Sequence, residues 1–152
     1  MSLDDAWTAY VRTIVDIGSP DRRLFRIVPA PQHDVGVWPQ QFNGPVFVLT
    51  AWDPGVARYD IDTNRAHQKS LESDLRCLTM ETWPAVGWTE YSDHREEGVA
   101  AAGLSEEDAV ALGARYGQNA IFAWTPTAWL VVSCVDDRRH EAGWRLFELA
   151  TS

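Results

Sequence analysis

Lysine is almost absent from this chain: Lys69 is the only one in 152 residues. Schiff-base chemistry therefore has a single candidate nucleophile, and its place on the exposed side of a helical pattern makes it a poor one. Basic residues are few altogether, thirteen against twenty-two acidic, for a net charge of −9 and a pI near 4.7. A field of that sign repels a phosphate backbone, so no nucleic-acid partner is expected. The densest basic stretch before the C-terminal region, Arg22, Arg23 and Arg26, reads as a solvated face beside a strand. The run 136–141 balances its own charge and reads as an exposed turn. Cysteine is scarce too. Cys77 and Cys134 form neither a C-x-x-C pair nor a metal-type spacing, and two buried free thiols are expected. His33, His67, His94 and His140 are scattered, without H-x-H or H-E-x-x-H spacing, so no metal site and no cofactor are expected. No glycine-rich phosphate loop and no G-x-S-x-G nucleophile motif occurs. No apolar run approaches the ~20 residues that span a bilayer. The first residues hold no basic segment followed by an apolar run. No membrane partner and a cytoplasmic location are the resulting expectations.

What the chain has in abundance is tryptophan, eight residues in all. Rings of that size carry large burial energies, so some must be core, and any left exposed would mark a binding face. Hydrophobic residues make up 45%, which fits one globular domain spanning 1–152.

The spacing of Leu3, Trp7, Tyr10, Val11 and Ile14 predicts an N-terminal helix that Gly18-Ser19-Pro20 stops. A short strand is predicted at 24–28. The stretch 29–45, with four prolines and two glycines, predicts an ordered loop. Residues 46–52 are apolar on both faces, the pattern of a central strand covered on both sides. Asp62 is the expected N-cap of a helix whose face carries Leu71, Leu75 and Leu78. Stepping back along that face reaches His67 or Gln68, then Asn64. Strands are predicted at 81–88 and 97–104, with a polar turn between them. Ser105-Glu106-Glu107-Asp108 is a capping-box pattern opening a second helix, and Gly117 suits its left-handed end. A hairpin follows, 120–124 and 129–134. The tail 136–152, with Trp144, Leu146, Phe147 and Leu149, fits a strand or a short helix.

Residues 1–45 thus form an N-terminal helix, short strand and loop, 46–135 a core, and 136–152 an extension. The order β-α-β-β-α-β in the core predicts an α+β fold, a ferredoxin-like sandwich with an N-terminal helical arm and an extra C-terminal strand. In that fold both helices cover one face of the sheet, so the N-terminal helix is expected to cover the other.

Thr50-Ala51-Trp52-Asp53-Pro54, then Asn64 near a helix start, then Gly117-Gln118-Asn119-Ala120 before a strand, resemble the bacterial domain-of-unknown-function family 3293. The resemblance covers 46–134. The family tends to place Glu-x-Ser before a strand, where this chain has Glu96-Glu97-Gly98, and usually has Asn in place of Asp53. It implies a pattern of residues and no reaction.

The expected topology gathers Thr50, Asp53, Asn64, Glu96 and Gln118 at one end of the sheet, together with the turn that holds Asp93, His94 and Arg95. Asn64 is expected to find partners in Thr50 and Asp53. Three functions fit. The first is a small-molecule or metabolite-binding domain using those five residues. The second is an enzyme with Asp53 and Glu96 as a carboxylate acid–base pair, which needs one of them buried with a raised pKa. The third is a protein–protein interaction module using exposed tryptophans. A homodimer is left open.

Overall fold

Ser2 starts the first helix, α1 (Leu3–Tyr10), through a capping box. Its hydroxyl accepts from the Asp5 N–H, and the Asp5 carboxylate accepts from the Ser2 N–H. The computed structural model describes residues 2–53, 55, 58–79 and 81–149. The helix stops at Tyr10, short of the predicted Ile14. Ile14 instead opens a strand, β1 (Ile14–Gly18), where two adjacent β-branched side chains are better accommodated than in a helix.

Among the described residues the chain continues through β2 (Leu24–Ala30), β3 (Val46–Leu49), α2 (Ile61–Leu78), β4 (Glu81–Trp88) and β5 (Arg95–Ala102). Then come α3 (Glu106–Arg115), β6 (Ala120–Thr125), β7 (Ala128–Ser133) and β8 (Arg139–Leu149). Asp60, not Asp62, caps α2, its carboxylate accepting from the Thr63 N–H. Leu71 and Leu75 are fully buried, each worth about 1.5–3 kcal/mol. Leu78, the last residue of the helix, is 49% exposed.

The strands close into an eight-stranded barrel in the order β1-β2-β8-β7-β6-β3-β5-β4, with β4 pairing back to β1. Every pairing is antiparallel. This overturns the ferredoxin-like α+β sandwich. The four core strands do lie side by side, β6-β3-β5-β4. They do not end as an open sheet, because β1, β2 and β8 join β4 to β7 and remove both edges. The second face of the central strand is therefore the barrel interior, and α1 is not spread over it.

Alternation along each strand makes two cores. Phe47, Leu49, Val99, Ala101, Ile121 and Leu130 point outward beneath Leu71 and Leu75 of α2 and Ala109 and Leu112 of α3. Val46, Val48, Phe25, Ile27, Trp124 and Trp144 fill the inside. The 31–45 loop plugs one end of the barrel. Phe42 meets Trp83 edge-on at 5.0 Å and Trp124 at 5.4 Å, and Trp38 lies 4.4 Å from Trp124. The loop is seated by exchange with β8: Trp144 N–H donates to Asp34 O and Gly36 N–H to Trp144 O. Gly143 is required there, since a Cβ would lie 2.1 Å from Asp34 O and 2.3 Å from Pro31 O.

None of the eight tryptophans is exposed, which removes the feature that the interaction-module reading depended on. Of the two thiols expected to be buried, Cys77 is exposed and Cys134 is half-buried. Among the described residues no helix is long and apolar enough to cross a membrane.

Candidate functional site

The end of the barrel opposite the loop plug is open beneath α1. A cavity of about 220 Å³ lies there. Ala6, Ala9 and Tyr10 of α1 wall one side, and Val15, Val48 and Phe122 line the interior. Its polar lining includes Thr50, Asp53, Arg58, His94, Glu96 and Gln118.

Strand direction explains the convergence. β3 ends at this mouth, while β5 and β6 begin there. Gln118 lies two residues before the start of β6, and Glu96 lies in β5 two residues before Gly98, which also lines the cavity. β5 begins at Arg95 rather than at 97. Strand alternation then sets Glu96 on the same face as Ala100, an inward residue. His94, two residues before Glu96, shares that face.

The chain leaving β3 is buried but irregular: Ala51, Trp52 and Asp53 are 0%, 9% and 8% exposed. Its backbone polar groups need partners, and side chains provide them. Gln68 Oε1 accepts from the Ala51 N–H at 3.0 Å. Thr50 Oγ1 accepts from the Trp52 N–H and donates to Glu97 O. Gln118 Nε2 donates to Trp52 O at 3.2 Å. Asn64 Oδ1 accepts from the Asp53 N–H at 2.8 Å, and its Nδ2 donates to Asp53 Oδ1 at 3.0 Å. All five residues named from the sequence thus lie close together, but not in one role. Thr50, Asp53, Glu96 and Gln118 line the cavity. Asn64, 2% exposed, stands behind Asp53 with its amide used by protein groups, and Thr50 is not among its partners.

Asp53 takes a left-handed backbone, φ 44°, which Asp and Asn tolerate better than most residues. This is a physical reason for a family to alternate between the two at this position. Burial pushes its pKa up. The Tyr59 N–H at 2.8 Å, the Asn64 amide, and the charges of His94 and Arg58 more than offset this, and the net shift is downward. Asp53 is held as a carboxylate, which takes from it the role of general acid.

Sequence reasoning placed the turn holding His94 at this end but gave no role to His94, Arg58 or Gln68. His94 Nε2 lies 3.0 Å from Glu96 Oε1 and 3.7 Å from Asp53 Oδ2. Arg58 Nη1 lies 2.6 Å from His94 Nδ1, 2.9 Å from Nε2 and 3.4 Å from Asp53 Oδ2. The in-plane directions of the two ring nitrogens diverge, so one Nη1 cannot lie along both. The consistent tautomer has Nε2–H donating to Glu96 and Nδ1 facing the guanidinium, an assignment made from the network. Signals for two of these residues were in the sequence, and there was none for Arg58. Gln68 lies one helical turn beyond Asn64, and His94-x-Glu96 is an i, i+2 pair.

Gly98 explains the missing serine of the Glu-x-Ser element. A Cβ at this position would lie 2.7 Å from the Leu49 carbonyl oxygen, so a serine has no room unless β3 shifts.

Comparison with known proteins agrees with the resemblance and adds no activity. No curated protein and no solved structure matches the chain. Residues 49–121 match the model of one family, described as protein of unknown function (DUF3293), and they include Thr50, Asp53, Asn64, Glu96 and Gln118, the residues that build the mouth of the barrel.

Proposed function

We propose that the chain is a small-molecule-binding domain whose ligand enters the cavity beneath α1. The observation that carries this reading is the cavity's division. Its inner wall is apolar, from Val15, Val48 and Phe122, and its mouth holds a buried carboxylate beside an imidazole and a guanidinium. Apolar lining with a few converging polar groups is how small-ligand sites gain both affinity and orientation. At about 220 Å³ the space falls below the ~300 Å³ lower end for drug-sized ligands. The occupant is therefore a small molecule with an apolar body and a polar head turned to the mouth. The carboxylate-pair enzyme is the weaker reading, because Asp53 stays ionised.

Native mass spectrometry of protein isolated without denaturation tests this. A retained small mass is expected, released on unfolding and lost in Ala9→Phe, which places a ring in the cavity. Protein that carries no adduct, and shows no saturation-transfer signal with a library of small amphipathic acids, amines and alcohols, would sink the reading.

A further inference from the structure

Three metal-type donors meet at the mouth of the cavity, from two distant parts of the chain. Asp53 follows β3, while His94 and Glu96 flank the start of β5. One ligand atom from each lies within 4.8 Å of the other two. His94 Nε2 is 3.0 Å from Glu96 Oε1 and 3.7 Å from Asp53 Oδ2. A tetrahedral ion with bonds of ~2.0–2.1 Å separates its ligand atoms by roughly 3.3 Å, and the two spacings bracket that edge. We propose that Asp53, His94 and Glu96 bind one divalent first-row transition ion at the mouth of the cavity. This deepens the ligand-binding reading and rests on the same cavity, but it concerns the ion alone.

The aspartate is already set for the task. Asp53 Oδ1 accepts from the Tyr59 N–H and from Asn64 Nδ2, while Oδ2 is the oxygen that faces His94. Outer partners that fix one oxygen of a ligating carboxylate and leave the other free are a regular part of metal sites. Asn64 is thus a positioning residue. The donor set, one imidazole and two carboxylates, suits Zn²⁺, Mn²⁺ or Fe²⁺ better than the all-oxygen shells preferred by Ca²⁺ and Mg²⁺. Three protein ligands at the lip of a cavity leave a further position turned towards it, the arrangement of metal sites that take an exchangeable ligand. The expectation of no metal site rested on histidine spacing, which is blind to a single histidine joined by carboxylates through the fold.

Arg58 supplies positive charge at this point in the structure, with Nη1 3.4 Å from Asp53 Oδ2. Its side chain is 61% exposed, so it can turn into solvent and exchange with an ion. The guanidinium is then a competitor of the metal and not a ligand, and its departure frees Nδ1 to carry the ring proton, so that Nε2, which donates to Glu96 in the ion-free protein, can ligate.

The test is calorimetric titration of Zn²⁺ and Mn²⁺ into chelator-treated protein, in a Cys77→Ser background that removes the exposed thiol as a rival zinc ligand. One ion per chain is expected. His94→Ala and Glu96→Gln should each weaken binding at least tenfold, and Arg58→Gln should bind at least as tightly as the parent. His94 and Glu96 are 33% and 30% exposed at the side chain, so both variants should keep the fold, which circular dichroism checks. Mn²⁺ should broaden the amide resonances of Tyr59 and Gly98 far more than those of the 31–45 loop at the opposite end of the barrel. Absence of stoichiometric binding in both the parent and Arg58→Gln overturns the proposal, as does binding undiminished in His94→Ala and Glu96→Gln. Weaker binding by Arg58→Gln overturns the exchange of guanidinium for ion. Because the probe is the ion alone, failure here leaves the retained-mass test of the cavity to stand or fall separately.

Discussion

Asn64 grips Asp53 twice, accepting from its backbone N–H at 2.8 Å and donating to its carboxylate at 3.0 Å. The pair holds a left-handed residue in place just before the mouth of the barrel, and Asn64 itself is 2% exposed. Removing the amide leaves the Asp53 N–H buried without a partner. Asn64→Ala should therefore lower unfolding free energy by about 1–3 kcal/mol. Urea unfolding measures this. Stability within ~0.5 kcal/mol of the parent, the range of ordinary surface substitutions, would mean that the clamp is not structural.

Gly98 faces the Leu49 carbonyl so closely that a Cβ would sit 2.7 Å from the oxygen. The obstacle is backbone, which cannot rotate away as a side chain would. Gly98→Ser should cost about 1–3 kcal/mol, as overpacking does. It should also displace the β3–β5 pairing at Leu49↔Val99. Amide exchange at Val99, compared with the parent, reads the second effect. A stable variant with unchanged exchange would show that the strands yield easily.

The elements of the core were legible because each has a local signature. The apolar run from 46, the capping box at Ser105 and the Gly117 stop all depend on neighbours in sequence. Closure was not legible. It depends on β1 and β8, and both carry mixed patterns. Ile14 falls in phase with Trp7, Tyr10 and Val11, so a strand residue extended an apparent helix. β8 sets Trp144 and Leu146 inward and Phe147 outward (51% exposed), a sequence that also fits a helical turn. At the mouth, the alternation of strand and helix directions was enough to bring Thr50, Asp53, Glu96 and Gln118 together. Asp53 was legible as a partner of Asn64, through both its N–H and its carboxylate, whereas Thr50 bonds Trp52 and Glu97 instead. The partner of Gln118 was harder to read, because it is the backbone carbonyl of Trp52, which no side-chain pattern encodes.

The opposite end of the barrel depends on another close approach. At Gly143 a Cβ would meet the carbonyls of Asp34 and Pro31 at 2.1 and 2.3 Å. Gly143→Ala should push the 31–45 loop off β8, breaking the Trp144–Asp34 and Gly36–Trp144 backbone bonds. Trp38 and Phe42 would then leave the cluster around Trp124 and Trp144. The expected result is a loss of about 3 kcal/mol or more, at the upper end for overpacking, with a weakened near-ultraviolet signal from the tryptophans. Gly44→Ala is the control for space, since nothing lies within 4 Å of its added Cβ, although its φ of +83° adds backbone strain. It should leave the near-ultraviolet signal intact.

Cys134 should be the first group to erode the stability of this fold as pH rises. Burial pushes its thiol up to about 11 from an ordinary value of 9.0. The unfolded chain therefore releases this proton at lower pH than the folded chain. Between about pH 9 and 11 the folded state binds more protons, so stability falls as pH rises through that window, and it is fully present below it. Tyr116 acts in the same direction at higher pH. Burial, reinforced by its hydroxyl bond to Asp74 at 2.5 Å, raises it to about 12. The two contributions separate by substitution. Cys134→Ala removes the lower one and should flatten the decline between about pH 9 and 10, whatever its effect on stability at pH 7. Tyr116→Phe should act mainly above that interval, because its own window runs from about pH 10 to 12. Guanidinium unfolding at half-unit steps of pH, for the parent and both variants, gives the slopes. A decline just as steep in Cys134→Ala would show that the thiol is not the group responsible.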